Sequence, residues 1–237
     1  PLPKVHLVDM ESETAEVRKV VVLSRAMERM LEDTLARGEQ AIMLMNRRGF
    51  ANRIVCPACH ERMTCPNCNV NLVVHAAGGY TVCHYCRGRV PIPEFCPNIA
   101  CRERLVQLGH GTQRIESILA SRFPLARIRR VDSDTMRVRG DYEQLIEDFE
   151  KRNIDLLVGT QMIAKGLDFP YVSFVGIVDA NMGAFADFRA SERMFQLVTQ
   201  VAGRAGRAGT AGNVVVQSTD PESPALQLAL RHDYEAF

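Results

Sequence analysis

Apolar residues in this chain fall into short unbroken runs separated by segments with helical spacing. From Ser24 to Arg37 they recur at Met27, Met30, Leu31 and Leu35, the rhythm of a helix with one buried stripe. Ser24 is the expected N-cap and Gly38 the expected stop. Ala41 to Met45 then reads as a continuously apolar strand. The alternation returns later: a helix capped by Thr112 and running through Ile115, Ile118 and Leu119, then a strand at about Ile128 to Val131. A helix over about Tyr142 to Lys151 leads to a strand at Ile154 to Val158. The apolar run Val172 to Val178, a helix from about Ala190 to Ala202 and a strand at Val214 to Gln217 complete the series. Unbroken apolar strands need cover on both faces, so the pattern predicts an α/β fold around a parallel sheet. Such sheets bind ligands beyond the strands' carboxyl ends, which singles out the loops after Met45, Val131, Val158 and Val178.

Between Val55 and Arg104 the pattern fails. The segment holds Pro57, Pro66, Pro91, Pro93 and Pro97, the turn pair Gly78-Gly79 and few large apolar residues, too little for a core of its own. All eight cysteines lie here, as Cys56-x2-Cys59, Cys65-x2-Cys68, Cys83-x2-Cys86 and Cys96-x4-Cys101. A knuckle of this spacing delivers two thiolates from one tight turn, so four knuckles fill two tetrahedral zinc sites and leave no open position. His60, His75 or His84 could replace one thiolate. No secretory leader is visible, so a cytoplasmic location with reduced thiols is expected, and zinc rather than disulfides. Asn71 to His75 and Tyr80 to Cys83 read as strands of a zinc-ribbon hairpin. Spacing alone does not choose whether such a ribbon binds nucleic acid, binds protein or braces the fold.

The 237 residues, 46% hydrophobic and 24% charged, suit an ordinary globular protein of one or two domains, and no apolar run approaches membrane-spanning length. A net charge of +1 excludes a uniformly polycationic binder. Arginines cluster at Arg47-Arg48, at Arg127 with Arg129-Arg130 and at Arg137 with Arg139, each read first as a solvated surface. Aromatic residues are only 6% of the chain and tryptophan is absent, which leaves little material for stacking on bases.

The loop after the strand at Ile154 to Val158 reads Gly159-Thr160-Gln161-Met162-Ile163-Ala164-Lys165-Gly166-Leu167-Asp168, and later comes Gln200-Val201-Ala202-Gly203-Arg204-Ala205-Gly206-Arg207. In this order they resemble motifs V and VI of superfamily 2 helicases. Two arginines three residues apart at a helix end suit a phosphate group, because planar guanidinium forks match its oxygens. Asn46-Arg47-Arg48-Gly49-Phe50, the eight-cysteine insertion behind it, Gly111-Thr112, Asp187-Phe188-Arg189-Ala190 and Glu192-Arg193 narrow the likeness. Together these segments resemble the PriA family of bacterial replication-restart (primosomal N′) helicases over nearly the whole chain.

The resemblance implies a RecA-like parallel-sheet helicase lobe with an inserted zinc-ribbon-like module, divided as residues 1–55 for the start of the lobe, 56–104 for the zinc-binding insertion and 105–237 for the rest. It implies nested pairing of the knuckles: Cys56, Cys59, Cys96 and Cys101 for one zinc, Cys65, Cys68, Cys83 and Cys86 for the other. The four-residue gap between Cys96 and Cys101 departs from the family's C-P-x-C and puts the geometry of that site in question. Arg204 and Arg207 become arginine fingers, with Gln200 beside them, and Gly166 and Asp168 lie near the nucleotide. Gly111, Thr112, Thr160, Gln161, Lys165, Arg47 and Arg48 become candidate DNA contacts, and Asp187, Arg189, Glu192 and Arg193 could instead be a structural ion-pair network. No G-x-x-x-x-G-K-[ST] loop and no Asp-Glu box occurs here, so the chain is expected to be a fragment lacking the first lobe, inert alone as an ATPase. The implied whole is a monomeric ATP- and Mg²⁺-dependent 3′-5′ helicase acting on forked and single-stranded DNA. Its implied partners are single-strand-binding protein and primosome proteins, including the replicative helicase loader system. The alternative is a non-catalytic DNA or protein docking module.

Overall fold

The computed structural model describes the chain outside residues 1–3, 19–20, 46–52, 57, 60–62, 71, 76–78, 84, 109–111, 133–134, 137–138, 161–162, 164–168, 170, 181–189 and 203–211. For 53, 55, 73, 75, 106–108, 139, 190 and 202 the description stops at the backbone. In chain order the first elements are β1 (Lys4–Asp9), α1 (Met10–Val17), α2 (Arg25–Ala36), β2 (Gln40–Leu44) and β3 (Arg53–Val55). Next come β4 (Val73–His75), β5 (Tyr80–Val82), β6 (Arg89–Pro91), β7 (Val106–Leu108), α3 (Thr112–Arg122), β8 (Ile128–Val131) and α4 (Arg139–Glu150). The last are β9 (Leu156–Gly159), β10 (Val172–Ile177), α5 (Ala190–Ala202), β11 (Asn213–Ser218) and α6 (Pro224–Leu230). They form two compact units: β3 to β7 make one, and the remaining elements the other.

The larger unit is built on a six-stranded sheet in the order β1-β11-β10-β2-β9-β8, every pair parallel. All five residues of β2 and all six of β10 are buried, as a sheet covered on both faces requires. Side chains alternate across β2. Ile42 and Leu44 join a core with Leu145 and Phe149 of α4, Phe195 and Val198 of α5 and Leu226 of α6. On the other face, Met43 and the α2 residue Met27 both crowd Gly176. The α2 helix begins at Ser24, whose hydroxyl accepts the Met27 amide at 3.2 Å. It stops because Gly38 adopts φ +68°, a left-handed turn that a side chain would strain.

Gly159 ends β9 opposite Val131 of β8. A Cβ there would lie 2.6 Å from Ile163 Cδ1 and would collide with the Val131 carbonyl oxygen. The backbone oxygen cannot move without breaking the ladder. Gly159→Ala is therefore expected to destabilise the chain by about 1–3 kcal/mol, the usual range for overpacking. Urea unfolding followed by the far-ultraviolet signal reads this as a lower midpoint at unchanged slope, and an unchanged midpoint would refute the steric account.

The smaller unit contains an antiparallel pair, β3 with β7, and a three-stranded antiparallel sheet, β4-β5-β6. Its described apolar core is small: Cys65, Leu72 and Cys83, with Met63, Cys68, Val70 and Val90 packed against them. β4 and β5 are the hairpin strands expected from the sequence. β6 is an addition, paired to β5 from Tyr80↔Pro91 to Val82↔Arg89.

Candidate functional site

The cysteines of the smaller unit gather into two quartets, Cys56, Cys59, Cys96 and Cys101, and Cys65, Cys68, Cys83 and Cys86. Within each, the sulfurs all lie within 4.8 Å of one another. Cys56 and Cys101 are 3.5 Å apart, Cys59 and Cys96 3.5 Å, and Cys65 and Cys86 3.6 Å. A disulfide would hold them at about 2.05 Å. The edge of a tetrahedron with Zn–S bonds of about 2.3 Å is about 3.8 Å. The sulfurs thus stand where one tetrahedral zinc per quartet would hold them, in the nested grouping the resemblance implies. Four thiolates close each site, which suits a structural ion. Of the histidines considered as substitutes, His60 and His84 lie outside the described residues, as does the side chain of His75.

Local hydrogen bonds form each knuckle. The Asn69 amide donates to the Cys65 carbonyl at 2.9 Å and the Arg87 amide to the Cys83 carbonyl at 2.8 Å. In the long last knuckle, Asn98 absorbs the two extra residues. Its side-chain oxygen accepts the Ala100 amide at 3.1 Å, and its carbonyl accepts Cys101 at 3.0 Å and Arg102 at 3.1 Å. An Asx turn thereby brings Cys101 back to Cys56, answering the question raised by the four-residue spacing.

The amides of Cys59 and Ala58 point at the Cys56 sulfur and pull its thiol down to about 7. Those of Cys86 and Tyr85 do the same for Cys83, also to about 7. Hydrogen bonding to Cys86, with burial, pushes Cys68 up to about 12, and burial does so for Cys96. Each quartet thus holds one thiol ready to ionise beside thiols that resist, Cys68 in one and Cys96 and Cys101 in the other.

In the larger unit, the four strand ends singled out in the sequence belong to adjacent strands, β10, β2, β9 and β8. These strand ends therefore lie side by side at one edge of the sheet. Backbone bonds extend this edge: Met45 N to Gly159 O at 2.9 Å and Val178 N to Leu44 O at 2.9 Å. Of the candidate residues, Thr160, Thr112 and Gln200 are described. Thr160 is buried after β9, with its carbonyl accepting the Ile163 amide at 3.1 Å. Gln200 is half-buried on the last turn of α5, the helix that leads into the arginine motif. Arg47, Arg48, Gly111, Gln161, Lys165, Gly166, Asp168, Asp187, Arg189, Arg204 and Arg207 lie outside the described residues. Glu192 accepts from Gln196 at 3.3 Å.

Thr112 needs a correction. It is the first residue of α3 rather than a residue ahead of it. Its hydroxyl donates to Asp132 Oδ2 at 2.6 Å in a buried contact, so the hydroxyl is committed within the unit. Asp132 itself was missed by the sequence reading. It sits buried just past β8 and also accepts from Arg130 at 2.6 Å and from the Thr135 amide at 3.0 Å. The available signal was an acid followed three residues later by Thr135 at a strand's carboxyl end. Arg127 is likewise committed, holding Asp155 through both oxygens at 3.0 and 2.6 Å. That guanidinium keeps the Asp155 carboxyl below the usual carboxylate range. The Arg127 cluster is thus an ion-paired brace in which Arg129 stays exposed.

Contacts from the C-terminal residues also hold α5. Phe195 stacks on Phe237 with ring centroids 4.2 Å apart and meets Tyr234 edge-on at 4.9 Å, while the Tyr234 hydroxyl donates to Thr199 at 3.2 Å.

Residues 97–209 match the family described as helicase conserved C-terminal domain, so the larger unit is of the class that forms the second lobe of helicases. Residues 65–91 match the PriA DNA helicase Cys-rich region domain. Replication restart protein PriA of Bacillus subtilis (strain 168) is 42% identical over 237 residues, covering 100% of this chain and 29% of the relative. That of Chlamydia muridarum is 40% identical over 236 residues, covering 99% of this chain and 31% of the relative. The chain belongs to the PriA family, and it spans 29% to 31% of the length of these relatives. Among solved structures, RecG bound to a three-way DNA junction matches with a TM-score of 0.50 at 12% identity, covering 100% of this chain and 21% of that one. At that identity the likeness is one of fold. No helix among the described residues is long and apolar enough to cross a membrane.

Proposed function

We propose that this chain is the second motor lobe and zinc-binding region of an ATP-dependent 3′-5′ DNA helicase that recognises stalled forks and restarts replication through primosome assembly. The observation that carries this reading is the similarity to PriA proteins along the entire chain, 42% over 237 residues with the relative from Bacillus subtilis. A parallel-sheet lobe in which the strands leading into the candidate loops are adjacent supports it.

In this reading Arg204 and Arg207 place guanidinium forks against the γ-phosphoryl group of an ATP held by a first lobe, with Gln200 beside them and Gly166 and Asp168 next to the nucleotide. Mg²⁺ is held with that ATP. The backbone near Gly111 and Thr160, with Gln161, Lys165, Arg47 and Arg48, follows DNA phosphates, which requires no base-specific chemistry. Two structural Zn²⁺ ions hold the cysteine-rich unit. The protein works in the cytoplasm as a monomer, on forked and single-stranded DNA, with single-strand-binding protein and primosome proteins including the replicative helicase loader system. The family membership does not favour a docking module without catalysis.

Strand displacement by the whole protein tests the reading. A duplex with a 3′ single-stranded tail on the tracking strand is expected to be unwound with ATP, and a duplex with only a 5′ tail to be left intact. Preference for the 5′ tail, or displacement that ignores ATP, would count against it.

A further inference from the structure

We propose that Tyr85 and Arg87, on the turn that joins β5 to β6, form a contact site for single-stranded nucleic acid in which Tyr85 stacks on an unpaired base and Arg87 holds the adjoining phosphate. The proposal rests on the reading that this chain works on DNA, and it assigns residues and a ligand chemistry to a zinc unit whose role the knuckle spacing leaves open.

Three observations carry it. Tyr85 is 74% exposed at the middle of the knuckle, a large ring held out into solvent by a turn whose neighbours are metal-ligand candidates. The turn that presents it is fixed from both sides. The Cys83 amide donates to the Gly88 carbonyl at 2.9 Å and the Arg87 amide to the Cys83 carbonyl at 2.8 Å. An aromatic on a rigid turn loses little freedom when a base stacks on it, and stacking of this kind is sequence-tolerant because every base has a π-face.

The second observation is Arg87 itself. It has φ +60°, the left-handed region where a non-glycine residue costs about 1 kcal/mol or more. Glycine would fit this position without strain. The arginine nonetheless stands there, exposed, two residues from the exposed ring. The same left-handed residue follows the second cysteine of two other knuckles, Asn69 at φ +54° and Arg102 at φ +49°, so the conformation belongs to the turn; what is particular here is that it presents an exposed cation two residues from an exposed ring.

The third is the charge of the surroundings. Between Glu61 and Glu94 the sequence contains no aspartate or glutamate, although the whole chain has 28. The charged side chains described in that stretch are arginines: Arg87, and Arg89 with its guanidinium 4.8 Å from the centre of the Tyr80 ring. Outside the stretch arginines do carry acids, as Arg104 does with Glu94 at 2.9 Å. An acid-free ribbon with arginines and one exposed ring at its tip fits a polyanion with exposed bases. The low aromatic content of the chain is thus compatible with stacking, because a single well-placed ring suffices.

The test uses the full chain loaded with zinc and a fluorescein-labelled oligothymidylate, titrated at two salt concentrations. Tyr85→Ala is expected to weaken binding about fivefold or more, within the range set by stacking on one base, and Tyr85→Phe to keep it. Arg87→Gly is expected to lower the slope of log affinity against log salt by about 0.7, the release expected from one single-strand phosphate. In that variant zinc content and melting temperature should be equal to the original or higher, since glycine relieves the left-handed strain; a merely structural arginine would lose both. Tyr85→Ala and Arg87→Gly chains that bind as the original does at both salts would overturn the contact while leaving the helicase reading intact. An original chain that ignores the oligonucleotide at low salt would overturn both.

Discussion

Removing zinc with a strong chelator is expected to unfold the cysteine-rich unit while leaving the six-stranded sheet folded. The reason is the imbalance between the two cores. The larger unit buries residues of five strands and three helices in one continuous cluster. The smaller one has three buried residues in its described cluster, two of them cysteines. Strands of three residues each add few ladder bonds. A structural zinc contributes about 10–16 kcal/mol at neutral pH, as much as the whole stability of a typical domain. Withdrawing it also leaves thiols that repel one another's ionised forms. Amide hydrogen exchange reads the result. Protection at Val74, Thr81 and Val90 should vanish after chelation, and protection at Met43, Leu157 and Val175 should persist. Surviving protection in β4 to β6 would show that the ribbon folds without metal. Single substitutions divide the effect: Cys65→Ser should loosen the ribbon quartet, and Cys56→Ser the quartet closed by the Asx turn at Asn98.

Much of the larger unit could be read from local pattern, because its elements are defined by local physics. Ser24 and Gly38 bracket α2 through a hydroxyl cap and a left-handed turn, both visible as residue types in place. The runs Ala41–Leu44 in β2 and Leu156–Val158 in β9 are apolar without interruption, which indicates strands covered on both faces. The knuckles were legible as ligand spacing, while their grouping into quartets followed only from the family resemblance. Other features depend on contacts distant in sequence. β1 is an edge strand with no fully buried residue, so its apolar pattern is weak. β3 and β7 are three-residue strands that find each other only in the folded chain. Buried polar residues were the hardest to place. Gln40 donates to the carbonyls of Phe149 and Ile154, both at 2.7 Å. Gln217 accepts the Ser24 amide at 2.7 Å, 193 residues away in sequence. A glutamine beside an apolar run looks like the end of a strand, and only its partners show it to be a buried tie. The same holds for Asp132, whose partner Thr112 is 20 residues distant, and for Arg127, read as solvated surface until Asp155 is seen against it.

The central claim is that this chain supplies the charge-stabilising arginines of a motor while the ATP is held elsewhere in the protein. Arg207 follows α5, a helix anchored by Phe195, Val198 and Val201 in the main core, with Tyr234 and Phe237 packed on Phe195 as well. A fixed helix is what an arginine finger needs, since the guanidinium must meet the transferring phosphoryl group without reorganising. Removing such a group typically costs about 10³-fold or more in turnover. It should spare DNA binding, because the arginine acts on transition-state charge rather than on the nucleic acid. The most direct measurement is therefore DNA-stimulated ATP hydrolysis by the whole protein, original against Arg207→Ala, with affinity for a forked DNA measured on the same samples. The account predicts hydrolysis reduced by about three orders of magnitude with fork affinity within about twofold of the original, a difference of about 0.4 kcal/mol that leaves the DNA contacts intact. Undiminished hydrolysis, or fork binding lost in the same proportion as hydrolysis, would contradict it.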